Sequence, residues 1–410
     1  MKILMVSDSP TTPSGFGRHA KLLIEELSRW FEMHCFGIQH FKDQTVELED
    51  RKYVIKGHRF PMNKDYFGEL TIPQLLKEEQ YDIIFTIIDT HMVEFISHLK
   101  FPQFFRIPTV ENGRTVSLER AKELIEQAYR KMSEHKFKWV ALIPVDGEPI
   151  PPFWKPILEK ADQVVAMSEY GAKLLSEELG YDVPYIYHPV SQNFYPEEIP
   201  EEIKVQIIGN VNRNQHRKQI PRFLEACIPA LEKYDDTRIY LHCNWNDEMG
   251  WDIGYLVDVL GIRDKVIPPL QDPLTQPLTE DQLRRLYNTF TVFASATAGE
   301  GFGLTTAEAM ACGLAPIITD YTTSCELIGE NERRGWLVPP ITYYWDLPDR
   351  AAVKRALVDI NAMSMFILEA LDFPEKRKRK GKAARWFAQS ILNPLRIARQ
   401  WKDVFEEVMS

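Results

Sequence analysis

Residues 296–319 read ATAGEGFGLTTAEAMACGLAPIIT. An apolar run of strand length, TVFAS (291–295), precedes them, and a second, APIITD (315–320), closes them, with a helix-length segment between. Strand, glycine-rich turn, helix and strand make one unit of a parallel sheet flanked by helices. Gly299, Gly301 and Gly303 leave the backbone open. The helix expected to begin near Thr305 presents N–H groups with no intrahelical partner, so the turn is suited to a diphosphate. Gly313 stands where the residue just past the helix is expected.

Two carboxylates flank this anion pocket, Glu300 in the turn and Glu308 one turn into the helix. They suit a ligand that carries hydroxyls beside its phosphates, and a nucleotide sugar combines the two. Thr305-x-x-Glu308 also has the spacing of a capping box, in which Glu308 would bond back to the helix start. For Glu308 both roles stay open here; capping explains neither Glu300 nor the three glycines.

Outward from this stretch the same alternation recurs. Upstream run KVQIIGNV (204–211), a helix around 219–234, RIYLHCN (238–244), a helix near 253–261, KVIPP (265–269) and the helix EDQLRRLYNT (280–289). The first half reads likewise: KILMVS (2–7), a helix over 17–30, HCFGI (34–38), YDIIFTII (81–88), KWVALIPV (138–145), ADQVVAMS (161–168), a helix over 169–180 and VPYIYHPV (183–190). Short apolar runs between amphipathic helices are the signature of buried parallel strands, so each half is expected to be a doubly wound α/β domain. SQNFYPEEIPEEI (191–203), rich in proline and acid, is the expected linker. The boundaries follow: 1–192 for the first domain, 200–385 for the second, and 386–410 for a C-terminal helix packing back on the first. In that helix Ile397, Trp401, Phe405 and Val408 form one apolar stripe.

Composition agrees with two cores and excludes little else. At 410 residues, with 44% hydrophobic and 26% charged, the chain has a globular balance. A net charge of −10 argues against a duplex-binding surface. The basic run EKRKRKGKAARW (375–386) reads as a solvated helix face. Five scattered cysteines (Cys35, Cys227, Cys243, Cys312 and Cys325) lack zinc-ligand spacing and read as buried free thiols of a reducing compartment. No run has the roughly 18 apolar residues of a membrane span, and MKILMVSD turns polar too soon for a signal peptide. A cytoplasmic location is expected.

A second glycine loop, PSGFGRHA (13–20), has Gly-x-Gly-x-x-Ala spacing from Gly15 to Ala20. A dinucleotide fingerprint needs a tight turn after the first strand and an acid at the end of the second. Here DSPTTPS lengthens the loop and the second strand ends in FGIQH, without an acid. Gly15 and Gly17 still allow close backbone approach ahead of a helix expected to start near Arg18.

GEGFGLTTAEAMACG resembles the Glu-x₇-Glu signature of retaining glycosyltransferases of GT-B fold, the large family 4 type. GNVNRNQHRKQIPRFLEA (209–226) is similar to the family's segment whose two cations hold the donor diphosphate, with Arg213 and Lys218 in those places. PSGFGRHAKLL resembles its N-terminal glycine loop, VVAMSEYGAKLL and HPVSQNFYP the end of its first domain, and SCELIGENERRGWLVPP (324–340) the segment after the carboxylates. The resemblance implies two Rossmann-like domains facing across a cleft. It implies transfer of a hexose-like sugar from a UDP- or GDP-linked donor to an acceptor hydroxyl, with retention of configuration and with neither metal nor cofactor. Gly15, Gly17, Arg213, Lys218, Glu300, Gly301, Phe302, Gly303, Leu304, Thr305 and Glu308 would bind the donor, Glu300 at the sugar hydroxyls and Glu308 at the ribose.

Two departures accompany the resemblance. The family's first-domain His is replaced by Val145, followed by Asp146, and its Lys-Gly pair is Lys218-Gln219. Asp146, Glu300 and His91 are therefore the catalytic candidates, with Glu148 beside them. A same-fold epimerase or phosphorylase, or a silent sugar-nucleotide or glycan-binding protein, are the alternatives. The acceptor is left open among a glycan, a lipid-linked carrier at a membrane surface, a small molecule and a base in nucleic acid. Acceptor contacts are expected from HFKDQTVELEDRK (40–52) and ENGRTVSLERAK (111–122).

Overall fold

The computed structural model describes residues 1–92, 94–100, 110–111, 114–115, 136–197, 205–347 and 352–410. Most of ENGRTVSLERAK, residues 198–203 of the expected linker, and Lys204 lie outside them.

The first domain is built on β1 (Lys2–Asp8), β2 (Glu32–Ile38), β3 (Gln44–Glu47), β4 (Lys52–Lys56) and β5 (Ile83–Ile87), with the two-residue strands β6 (Val110–Glu111) and β7 (Arg114–Thr115) set apart, then β8 (Lys138–Ile143) and β9 (Gln163–Ala166). The sheet order is β3-β4-β2-β1-β5-β8-β9, parallel except for β3 against β4. Along β1 successive side chains enter opposite cores. Leu4 and Val6 join Phe36, Ile84 and Trp139 on one face, while Ile3 and Met5 join Leu23, Leu27 and Phe85 on the other. A strand buried on both sides has no polar face, which is why these runs are uninterrupted in sequence.

The second domain carries β10 (Gln206–Val211), β11 (Thr237–His242), β12 (Val266–Ile267), β13 (Val292–Ser295), β14 (Pro316–Thr319) and β15 (Trp336–Val338). They form a parallel sheet in the order β12-β11-β10-β13-β14-β15. The chain order reverses between β1 and β5 in one sheet and between β10 and β13 in the other. The loops leaving these strands' carboxyl ends are where a doubly wound sheet binds ligands.

Several elements differ from expectation. VPYIYHPV is not a strand: two prolines interrupt it and it makes only an isolated bridge, Tyr185 to Ala166. The hairpin β16 (Pro340–Asp346) and β17 (Val353–Val358), absent from the sequence reading, stands apart from both sheets. Cys325 is exposed; the other four thiols are buried. Helix Pro374–Ser390 runs through position 386. In its basic run, Lys378 pairs with Glu375 at 3.1 Å, and the buried Lys380 donates to the Gly335 carbonyl at 2.6 Å. Helix Pro394–Met409 then crosses to the first domain. Ile397, Trp401 and Phe405 are buried there beside Phe85 and Leu27, with Val408 partly covered, each worth roughly 2 kcal/mol of apolar burial.

Candidate active site

A cavity of about 840 Å³ lies where the carboxyl-end loops of the two sheets meet. From the first domain come Gly15 and Phe16 after β1, Asp89 and His91 after β5, and Pro144–Gly147 after β8. From the second come Arg213, Gln215, His216 and Arg217 after β10, and Glu300, Gly301, Phe302, Gly303 and Leu304 after β13. Asp346, Leu347, Val353 and Arg355 of the hairpin close one side.

Of the residues expected from sequence, Gly15, His91, Asp146, Arg213, Glu300, Gly301, Phe302, Gly303 and Leu304 line this cavity, whereas Gly17, Lys218, Thr305 and Glu308 are not on its wall. Gly17 serves packing. The first helix is Gly15–Leu27, begun three residues earlier than expected by Ser14, whose hydroxyl accepts the Gly17 N–H at 3.0 Å. A Cβ on Gly17 would sit 2.3 Å from the Thr12 carbonyl oxygen. Gly299 and Gly301 are not simply open backbone either: added Cβ atoms would lie 2.2 Å from the Asp146 carbonyl oxygen and 2.9 Å from Pro144 Cβ. These glycines let the two domains' loops touch.

The carboxylate helix is Leu304–Ala311. Gly303, left-handed at φ 95°, holds the N-cap position without a side-chain cap. The capping box centred on Thr305 is therefore absent, because the turn closes two residues early. Glu308 is free for another task. Buried to 1% exposure, it accepts a hydrogen bond from Arg18 Nη1 and one from Tyr287 OH at 3.0 Å. Burial pushes its pKa up; Arg18 and Tyr287 oppose this. Arg18 belongs to the first domain, so the pair spans the two. Gly313, at φ 84°, ends this helix.

Glu300 is the centre of charge. Its carboxylate pairs with Lys218 Nζ and with Arg217 Nη1 at 3.3 Å, and it accepts from Thr297 Oγ1 at 2.9 Å. Its N–H donates to Thr322 Oγ1 at 3.0 Å. Burial alone would raise its pKa, but Lys218 and Arg217 outweigh burial and hold it at about 2. Burial, reinforced by repulsion from Arg217, brings Lys218 down to about 8 against the pull of Glu300. Arg217, which the sequence reading passed over for its neighbour, is the cation of this group that faces the cavity, and its Nη1 also donates to the Gly299 carbonyl at 2.9 Å. Arg213 stands half exposed, paired with Asp247 at 3.0 Å.

Across the cavity Val145 is buried in the first core, and Asp146 meets a cation instead of a histidine. Asp146 Oδ1 lies 3.0 Å from Arg355 Nη1, which also donates to the Asp146 carbonyl. Glu148 turns to the hairpin: its carbonyl accepts the Lys354 N–H at 2.6 Å. His188, in the segment that closes the first domain, is a further wall residue that sequence reasoning missed. Its ring stacks on Phe302 at 5.3 Å, and its Nδ1 donates to the Pro189 carbonyl at 2.6 Å. Burial lowers its pKa to about 4, so it is neutral near pH 7. Among the described residues no three His, Cys, Asp or Glu side chains group as metal ligands, and no helix is long and apolar enough to cross a membrane.

Residues 191–343 match the family model described as glycosyl transferases group 1. No curated protein matches the chain at a significant level. Among solved structures, the chain is similar to sucrose-phosphate synthase of Thermosynechococcus elongatus (17% identity, 100% of this chain and 99% of that one, TM-score 0.70). It is also similar to a glycosyltransferase of Rickettsia africae (16%, 100% and 98%, 0.66) and to Anabaena Alr3699/HepE, solved with UDP-glucose (15%, 99% and 100%, 0.67). Over their whole lengths these chains share one architecture, the GT-B fold of two Rossmann-like domains facing across a cleft.

Proposed function

We propose that the protein transfers a hexose-like sugar from a UDP- or GDP-linked donor to an acceptor hydroxyl, with retention of configuration and without a metal. The observation that carries this is the convergence in one interdomain cavity of Arg217, Arg213, the uncapped turn at Gly303–Leu304 and the carboxylate of Glu300. The family match over 191–343 and the neighbour holding UDP-glucose support the donor class.

In this reading the diphosphate lies against the helix turn and Arg217, with Lys218 behind Glu300 adding field. As the bond from C1 to the phosphate oxygen breaks, its electron pair goes to the diphosphate, whose growing charge these groups stabilise. The acceptor oxygen attacks C1 from the same face and its proton passes to the departing phosphate oxygen. Glu300 takes donor-sugar hydroxyls. For Glu308 to take the ribose the two domains must part at its Arg18 contact, because the carboxylate is buried off the cavity wall as it stands; each of its oxygens accepts one bond and has capacity for a second. Asp146 and His91 face the acceptor side.

The test is to incubate the protein with UDP- and GDP-hexoses and mixed acceptors in excess chelator, following nucleoside diphosphate release and product mass. NMR then gives the anomeric configuration. The expected result is an acceptor glycoside with the donor's configuration. A donor isomerised without acceptor would point to an epimerase. Donor bound but never consumed would leave a binding protein.

A further inference from the structure

The hairpin β16–β17 pairs with neither sheet, yet it is fastened to both domains. On the second domain, Gln219 Nε2 donates to the Ala356 carbonyl at 2.6 Å, and the Val358 N–H donates to Gln219 Oε1 at 3.2 Å. The Ala356 N–H reaches the Ala298 carbonyl at 3.0 Å. On the first domain, Lys354 bridges to Glu148. Gln219 is left-handed at φ 47°, a conformation in which glycine is unstrained and a side chain is kept for what it does. Here it clamps β17.

What β17 delivers is Arg355. It is 2% exposed, and a guanidinium so buried persists only with partners. They are the Asp146 carbonyl, Asp146 Oδ1 at 3.0 Å and Asp346 Oδ2 at 3.4 Å. The slot is cut to its size: a Cβ on Gly147 or on Gly299 would lie 3.3 Å from Arg355 Nη1. One nitrogen, Nη1, meets both the carbonyl and the carboxylate of Asp146 while Nε faces Asp346, so the planar guanidinium fixes the direction of Asp146 at the cavity wall.

We propose that Arg355, delivered by the hairpin and held in place through Gln219, is a positioning residue for group transfer, fixing the Asp146 carboxylate so that its Oδ2 meets the acceptor hydroxyl. The proposal rests on the transfer reading above. It connects the two departures from the family pattern, since the residue after the missing histidine and the glutamine after Lys218 are joined by one strand.

The experiment compares Arg355→Gln, Arg355→Lys, Asp146→Asn and the Arg355→Gln/Asp146→Asn double variant for kcat, donor KM and melting temperature. Arg355→Gln should lower kcat about tenfold or more with donor KM within about twofold, because the donor sits on the other wall. Arg355→Lys, which keeps the charge but loses the fork, should recover part of the loss. In the Asp146→Asn background Arg355→Gln should cost nothing further. Unchanged kcat in Arg355→Gln, or losses that simply multiply in the double variant, would overturn the proposal. Should Arg355→Gln melt early, Arg355→Lys alone and combined with Asp146→Asn decide it: a kcat loss in the first that adds nothing in the second supports the proposal, and losses that multiply overturn it. A parent that turns over no donor removes the transfer reading and this proposal together; turnover in the parent with an unaffected Arg355→Gln removes this proposal alone.

Discussion

In the proposed reading Lys218 makes nucleotide binding pH-dependent in a range where most proteins are stable. Glu300, Lys218 and Arg217 together carry one net positive charge when all are ionised. The lysine ionises at about 8 in the free protein. Its protonated fraction thus falls from about nine-tenths at pH 7 to about one-tenth at pH 9. A bound diphosphate supplies negative charge and favours the protonated lysine, so binding takes up a proton when measured near pH 8. If the neutral form contributes nothing, the Kd for UDP or GDP rises roughly tenfold between pH 7 and pH 9, about 1.4 kcal/mol. Isothermal titration in two buffers of different ionisation enthalpy reads both the affinity and the proton. Lys218→Arg is the control, because a guanidinium stays charged throughout and the pH dependence should vanish. A parent Kd that is flat from pH 7 to 9.5, or an equal slope in Lys218→Arg, would refute the placement of the diphosphate beside this group.

Three further outcomes follow from the same contacts. Glu300 has a folded pKa of about 2, below its ordinary value of 4.5, so its stabilisation is complete above about pH 4.5 and is lost as pH falls toward 2. The melting-temperature gap between the parent and Glu300→Gln should therefore narrow as pH is lowered from about 6 to 3. Glu308→Gln removes no cap but leaves Arg18 without its counter-charge; since the Arg18 side chain is 29% exposed, water offsets part of the loss. The expected cost is about 1 kcal/mol, seen as a melting point some 2–4 °C lower by scanning fluorimetry. An unchanged melting point would remove the interdomain role of the pair. Gly301→Ala places a Cβ 2.9 Å from Pro144 Cβ, an overpacking worth about 1–3 kcal/mol, and should weaken nucleotide binding by parting the two loops; parent-like melting and affinity would show that they part freely.

The fold was legible because its strands are buried on both faces and so appear as unbroken apolar runs between helices. Ile397, Trp401 and Phe405 were legible for the same reason, as a stripe with a partner surface. VPYIYHPV shows the limit: the run is apolar, but Pro184 and Pro189 withhold ladder N–H groups, and composition alone does not weigh that. The hairpin escaped because ITYYWD and VKRALV mix exposed aromatic and charged positions, with Ile341, Tyr343 and Trp345 all open to solvent. In the site, the glycine and glutamate motif pointed to a loop that lines the cavity, yet four neighbouring side chains were invisible. Arg18 meets Glu308 across 290 positions of sequence, and Arg355 meets Asp146 across 209. Tyr287 and His188 sit in segments that looked like ordinary helix and strand. Only Arg217 left a signal, as the middle of His216-Arg217-Lys218 directly after a strand, and the eye went to the lysine.

The contacts between the domains are of two kinds. Around the cavity, beside the His188–Phe302 stack, they are mostly polar: Arg18 to Glu308, Arg355 to Asp146, and the Glu326 carboxylate accepting the N–H groups of Glu169 and Tyr170 at 2.8 and 2.7 Å, at the start of helix Glu169–Leu179. Glu308 and Arg355 are buried, so parting these pairs trades a desolvated contact for two hydrated groups, and the net cost is smaller than the attraction itself. Away from the cavity the connection is apolar. Helix Pro394–Met409 inserts Trp401 and Phe405 into the first core, and separating it would expose several side chains worth roughly 2 kcal/mol each. The molecule is thus joined by apolar burial at its C-terminal helix and largely by polar contacts at the rim of its cleft. In the proposed reading a diphosphate entering that cleft brings its own charge to Arg217, so it competes with Glu300 for a cation already in place instead of having to order one.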